Sequence, residues 1–96
     1  GTASIAPDGR TIHVGDVEKQ IALTMEVADA ILQSRNMSFS DIVRGIAYFK
    51  YIADVPLLAK HCKENNLPQM PFAISHSDIC RDDLLFEIEL DAIAVS

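Results

Sequence analysis

The stretch over 84–95, Leu84-Leu85-Phe86-Glu87-Ile88-Glu89-Leu90-Asp91-Ala92-Ile93-Ala94-Val95, alternates apolar and acidic residues almost without fault. Successive side chains of a strand point to opposite faces. Phe86, Ile88, Leu90, Ala92 and Ala94 therefore share one face, and Glu87, Glu89 and Asp91 share the other. The pattern predicts a long strand buried on one side, with helices packed against its apolar face. The acidic face is either plain solvent exposure or the wall of a site.

The remaining segments supply the layers that such a strand needs. Residues 2–6 read as a short strand and 10–14 as its hairpin partner, joined by the turn residues Pro7-Asp8-Gly9. Gly15 breaks that strand, and Asp16 offers an N-cap to a helix over 17–34. Ile21, Met25, Ala28 and Leu32 recur there at helical spacing, joined by Ile31. Asn36 is suited to a left-handed cap after the helix. Residues 42–51, rich in β-branched and aromatic side chains, read as a strand with large apolar groups on both faces. Val43, Ala47 and Phe49 fall on one side, and Ile42, Ile46 and Tyr48 on the other. Such a strand is expected to be central or to lie at a subunit contact. Gly45 within it marks a close approach or a bulge.

Asp54 and Pro56 open a second helix with the stripe Val55, Leu58, Ala59 and Cys62, and Asn65-Asn66 closes it. A strand over 71–77 and a polar loop over 78–83 precede the final strand. The order ββαβαββ implies an α+β fold, one mixed sheet with both helices on one face. The other sheet face then has no cover within the chain. A half-apolar open face of this kind points to a homo-oligomer.

Ninety-six residues make a single domain over 1–96. Eight Lys and Arg against 14 Asp and Glu leave a net charge of −6. The basic residues are scattered, which speaks against a nucleic-acid partner. No apolar run reaches the length of a membrane span, and two cysteines make no disulfide scaffold, so a cytoplasmic setting with reduced thiols is expected. The chain opens without Met on Gly1-Thr2-Ala3-Ser4-Ile5, which reads as mid-strand, so a piece of a longer polypeptide is expected.

Four short motifs, in this order and spacing, resemble the Rid/YjgF family, whose members have also been labelled translation-initiation inhibitors and L-PSP endoribonucleases. They are Gly1-Thr2, Gly15-Asp16-Val17-Glu18-Lys19-Gln20 at the first helix, Ser40-Asp41-Ile42-Val43 entering the central strand, and Glu87-Ile88-Glu89 in the last strand. The resemblance implies a chorismate-mutase-like fold with one further strand ahead of Gly1. It also implies trimers around a barrel of sheets, with ligand clefts between subunits. The family's enamine and imine deaminases are marked by an Arg just after a Pro, which binds the substrate carboxylate. Here Phe72 stands in about that place, after Pro71, so that salt bridge is missing.

A closer likeness is to the C-terminal half of chorismatases, once called pteridine-dependent dioxygenase-like proteins. It is carried by Gly1-Thr2-Ala3-Ser4-Ile5, by His13-Val14-Gly15-Asp16-Val17, and by the run from Pro71-Phe72-Ala73-Ile74-Ser75-His76 through Cys80-Arg81-Asp82-Asp83-Leu84-Leu85-Phe86-Glu87-Ile88-Glu89. That likeness implies Glu87 as the general acid that protonates the enolpyruvyl group of chorismate. It implies a pocket lined by Cys80, with Phe72 and Ala73 as further substrate-binding positions.

From the residues alone Glu87 reads first as a solvated sheet residue and second as an acid, and Glu89 and Asp91 read as solvated. His13, His61, His76, Cys62 and Cys80 lack zinc-site spacing, so neither a metal nor a cofactor is expected. No phosphate loop or nucleophile elbow occurs. Two function classes remain open. One is a hydrolase or lyase acting on a small carboxylated enol or enamine, chorismate above all. The other is a catalytically silent ligand-binding or assembly module.

Overall fold

Asp16 caps the first helix as its position predicts: its side chain accepts a 3.0 Å hydrogen bond from the Lys19 amide. The helix that follows, α1, spans Val17–Gln33 in a computed structural model that describes residues 2–3, 10–76 and 84–93. It ends at Ser34, and Asn36 takes the left-handed conformation at φ 58°. Ile21, Met25, Ala28 and Leu32 are buried along one stripe, while Ile31 is turned outward and nearly half exposed. The stripe is completed instead by Gln20 and Thr24, both fully buried.

Four strands make one sheet among the described residues: β1 (Thr2–Ala3), β2 (Ile42–Phe49), β3 (Phe72–His76) and β4 (Phe86–Ala92), in the order β1-β4-β2-β3. A second helix, α2 (Val55–Glu64), carries the crossover between β2 and β3, which run parallel. A parallel pair needs such a connection, because a tight hairpin can only reverse the chain. β4 runs antiparallel to both β1 and β2. The sheet is therefore mixed, and both helices lie on the one side where Ala47, Phe49, Phe86 and Ile88 are buried.

That side is the core. Phe49 and Phe86 meet across β2 and β4 at a ring separation of 5.1 Å and a tilt of 55°, a favourable aromatic geometry. From α2, Leu58 is buried, and Val55, Leu57 and Cys62 pack beside it. Ala59, expected on that stripe, is exposed, and Leu57 takes its place.

Two strand expectations change. The arm expected over 10–14 is not a strand: Thr11 makes only an isolated bridge, and His13 turns at φ 59° with Gly15 at φ 79°. The reversal is closed by the Asp16 amide on the His13 carbonyl at 3.0 Å. The hairpin turn over 7–9 lies outside the described residues. In β2, simple alternation fails at the start because the register shifts between Ile42 and Arg44, where three residues oppose Asp91 and Ala92. This β-bulge turns Ile42 into the core and leaves Val43 about half exposed, the reverse of their expected sides.

Gln20 holds the ends of this arrangement together. Its amide nitrogen donates to the His13 carbonyl at 3.2 Å, and its amide oxygen accepts from the Leu85 amide at 2.8 Å. One side chain thus joins the turn before α1, the helix itself and the start of β4. Gln20→Leu keeps the volume and removes both bonds. It is expected to cost about 1–3 kcal/mol, because Leu85 loses its acceptor inside the protein. Urea unfolding of the variant against wild type measures this, and an unchanged midpoint would show that water replaces the amide at no cost.

Gly45 is needed for packing. A Cβ there would run into the Phe72 ring and lie 3.1 Å from the Glu89 carbonyl oxygen. Gly45→Ala should cost about 1–3 kcal/mol through forced repacking. Combining it with Phe72→Leu should recover part of that loss in the same thermal melt.

Candidate functional site

The open side of the sheet carries the second set of alternating residues. The β2–β4 register sets Tyr48 opposite Glu87, Ile46 opposite Glu89 and Arg44 opposite Asp91. The parallel register adds Ser75 beside Tyr48 and Ala73 beside Ile46. Two rows therefore cross the sheet: Ser75, Tyr48 and Glu87 in one, Ala73, Ile46 and Glu89 in the next. At sheet spacings Ala73 and Glu87 stand about 12 Å apart on this face, a span that suits a small ring-sized acid.

Of the residues singled out from the sequence, Ala73 and Glu87 thus share one face. Phe72 does not join them. It pairs with Gly45 and packs over it on the helix-covered side, as a half-buried extension of the core. Cys80 lies outside the described residues. A hollow of about 700 Å³ is lined by Arg44, Ile46, Ala73, Glu89 and Asp91, and also by Ile31, Ile88 and Leu90; neither Glu87 nor Tyr48 lines it. Its volume lies within the range of small-molecule sites.

The charges on this face are unevenly engaged. Arg44 and Asp91 form an ion pair at 2.5 Å, both side chains well exposed. The hydrogen bond to Asp91 and its charge hold the Arg44 guanidinium above its ordinary range. Tyr48 donates its hydroxyl to Glu89 at 3.2 Å. Partial desolvation, then the hydrogen bond to Glu89 and the charges of Glu89 and Glu87, push the phenol up from its ordinary value. Glu87 is half-buried and has no hydrogen-bond or ion-pair partner among the described residues.

Arg44 and Tyr48 are the members of this face that sequence reasoning did not single out as site residues. The alternation in β2 put Tyr48 with Ile46 but could not pair that side with the carboxylates. The pairing depends on a register set by residues far apart in the chain.

Elsewhere, Cys62 sits against the core, and burial pushes its thiol up from the ordinary value, as suits an inert packing residue. Lys60 ties α2 to α1 through Glu18 at 2.9 Å. Among the described residues no helix is long and apolar enough to cross a membrane.

The shape of this sheet and its two helices recurs in known proteins. A Rid-family protein of unknown function from Yersinia pestis superposes with a TM-score of 0.82 at 17 % identity, over 98 % of this chain and 74 % of its own. Escherichia coli TdcF, solved with bound serine, gives a TM-score of 0.80 at 20 % identity, over 99 % of this chain and 77 % of its own. A chorismatase crystal structure gives 0.77 at 26 % identity, over 93 % of this chain and 29 % of its own.

The chain has the Rid/YjgF fold.

No family model matches the chain. Among curated proteins it is similar to a 3-hydroxybenzoate synthase from Streptomyces hygroscopicus, 32 % identical over 98 residues and 93 % of the chain. It is also similar to a chorismatase from Streptomyces rapamycinicus, 30 % identical over 88 residues and 82 % of the chain. The domain spans only 28 % and 26 % of the lengths of these two relatives. Its sequence is thus close to chorismatases, while its α+β fold is common to the wider Rid/YjgF group.

Proposed function

We propose that this domain forms part of a chorismatase-like hydrolase, in which Glu87 is the general acid that protonates the enolpyruvyl group of chorismate. The observation that carries the reading is the position of Glu87: half-buried on the open sheet face beside Tyr48, with no partner among the described residues. A carboxyl group that is not committed to a salt bridge is available to exchange a proton. The similarity to a 3-hydroxybenzoate synthase and a chorismatase supports the substrate.

The chemistry asked of it is hydrolysis of an enol ether. Proton transfer to the methylene carbon leaves an oxocarbenium ion. Water adds to that ion, and the hemiketal breaks down to pyruvate and the ring alcohol. Ala73, and Cys80 beyond the described residues, are proposed to line the pocket. Phe72, packed over Gly45 on the other side of the sheet, would act only by supporting the strand that carries Ala73.

The face carries three carboxylates, and its one described arginine is engaged by Asp91. An anionic substrate would be repelled from it in isolation. We therefore propose that the face is closed by another sheet that brings basic residues, from a second copy in a homotrimer or from the rest of a longer chain. The same observation favours a second reading, a silent ligand-binding or assembly module. A Rid-type deaminase is less well supported, since Phe72 supplies no charge for a carboxylate.

The test is chorismate consumption by the full-length parent protein, with chromatography of the products. Release of pyruvate with a hydroxybenzoate or a dihydrodiol supports the hydrolase. Absence of turnover, with ligand-dependent thermal stabilisation by chorismate or a benzoate, returns the domain to the binding reading.

A further inference from the structure

We propose that Tyr48 is a positioning residue of this site: by holding Glu89 through its hydroxyl, it leaves Glu87 as the one carboxyl of the pair free to transfer a proton. The inference rests on the proposed acid role of Glu87 and extends it to a residue that neither the comparisons nor the sequence motifs single out.

Glu87 and Glu89 lie two residues apart on one strand face, so they are chemically equivalent by position. Their surroundings differ. Tyr48 stands directly across from Glu87, so its ring lies beside that carboxyl, yet its hydroxyl reaches diagonally to Glu89. Directly opposed and diagonal neighbours on a sheet face are both within reach of an aromatic side chain. The phenol's bond to Glu89 occupies one oxygen of that carboxyl. Glu87 keeps the aromatic wall without the hydrogen bond. Two like carboxyls are thereby divided into one held by a hydrogen bond and one left unbonded.

The remaining charges facing this cluster act in the same direction. Arg44, the next cation along β2, is paired with Asp91 and does not reach Glu87 or Glu89 by any hydrogen bond or ion pair among the described residues. Ser75, the other neighbour of Tyr48 in its row, is uncharged. The phenol of Tyr48 is itself held protonated by its surroundings, so it stays a donor across the working pH range.

The experiment is a set of variants in the full-length protein: Tyr48→Phe, Glu89→Gln, their double variant and Glu87→Gln. With chorismate as substrate, Tyr48→Phe is expected to lower kcat by roughly 10- to 100-fold, the effect of losing a hydrogen bond to a charged group. KM should change little, and the pH dependence of kcat should move. Glu89→Gln added to Tyr48→Phe should lower kcat no further, because both act through one bond. A Tyr48→Phe enzyme with the wild-type kcat and pH profile overturns the proposal.

A second readout does not need turnover. The difference between the ultraviolet titrations of each protein and of its Tyr48→Phe variant reports the Tyr48 phenol. Glu89→Gln should let that phenol ionise at lower pH, since it replaces a charged acceptor with a neutral one. A titration unmoved by Glu89→Gln shows that the bond is absent in solution and overturns the inference whatever the activity. If instead the phenol responds but Glu87→Gln leaves turnover intact, the proton carrier is misassigned, and the acid reading of Glu87 falls with its positioning.

Discussion

Glu87→Gln in the full-length protein is expected to reduce kcat on chorismate by about two to four orders of magnitude, the usual contribution of a positioned general acid. Substrate binding should survive, because the amide has the same shape and the face loses rather than gains negative charge. Glutamine cannot deliver a proton to carbon at neutral pH, so the loss falls on the chemical step and not on KM. The surrounding structure gives no reason for a folding defect. Glu87 faces outward and makes no hydrogen bond among the described residues. Steady-state kinetics with a parallel thermal melt separate the two effects. An unchanged kcat sinks the acid role of Glu87. A lost fold would be a surprise, and would mean that the covering sheet leans on this side chain.

The second large effect lies on the opposite side of the same strands. Phe49→Ala is expected to cost about 3–5 kcal/mol, the range for removing a buried aromatic ring. Phe49 is fully buried and packs against Phe86, itself fully buried, at the centre of the β2–β4 contact. Domains of this size have a total stability of about 5–15 kcal/mol. The variant therefore stands at the edge of unfolding, and thermal melting followed by circular dichroism should show a midpoint lowered by ten degrees or more. Phe86→Ala should behave alike, and the two losses should not add, because each removes the other's partner. A midpoint shift of only one or two degrees would mean that the helices collapse into the space without cost.

The two predictions concern opposite faces of the β2–β4 pair, and β4 was the part of the protein most legible in sequence. A period of two admits one assignment, so Phe86, Ile88 and Leu90 could be placed inward and Glu87, Glu89 and Asp91 outward. The caps of α1 were legible for a similar reason: Asp16 and Asn36 act on backbone groups a few residues away. What escaped was set by distant partners. Gln20 is buried because its amide meets His13 and Leu85, and no periodicity marks it as core. The bulge at the start of β2 exchanges the sides of Ile42 and Val43, and it is recorded only in the register against β4. Phe72 could be aligned with a site position, but its orientation is decided by the space above Gly45. Tyr48 joined the site only once β2 and β4 were in register.

The placement of β4 also bears on how the chain is made. β4 follows every other strand in sequence, yet it occupies an interior slot between β1 and β2. On the ribosome β2, α2 and β3 emerge before β4 and can assemble as one parallel unit. β1 has nothing to join until β4 arrives, since Thr2 pairs with Ile88. Pairings so remote in sequence form late and slowly. A growing chain therefore exposes the inner edge of β2, with Ala47 and Phe49 lacking their neighbours Ile88 and Phe86, until β4 has been made. A transcript cut short before Phe86 would yield two strand fragments with no common sheet, material for chaperones and proteases rather than a smaller version of the domain.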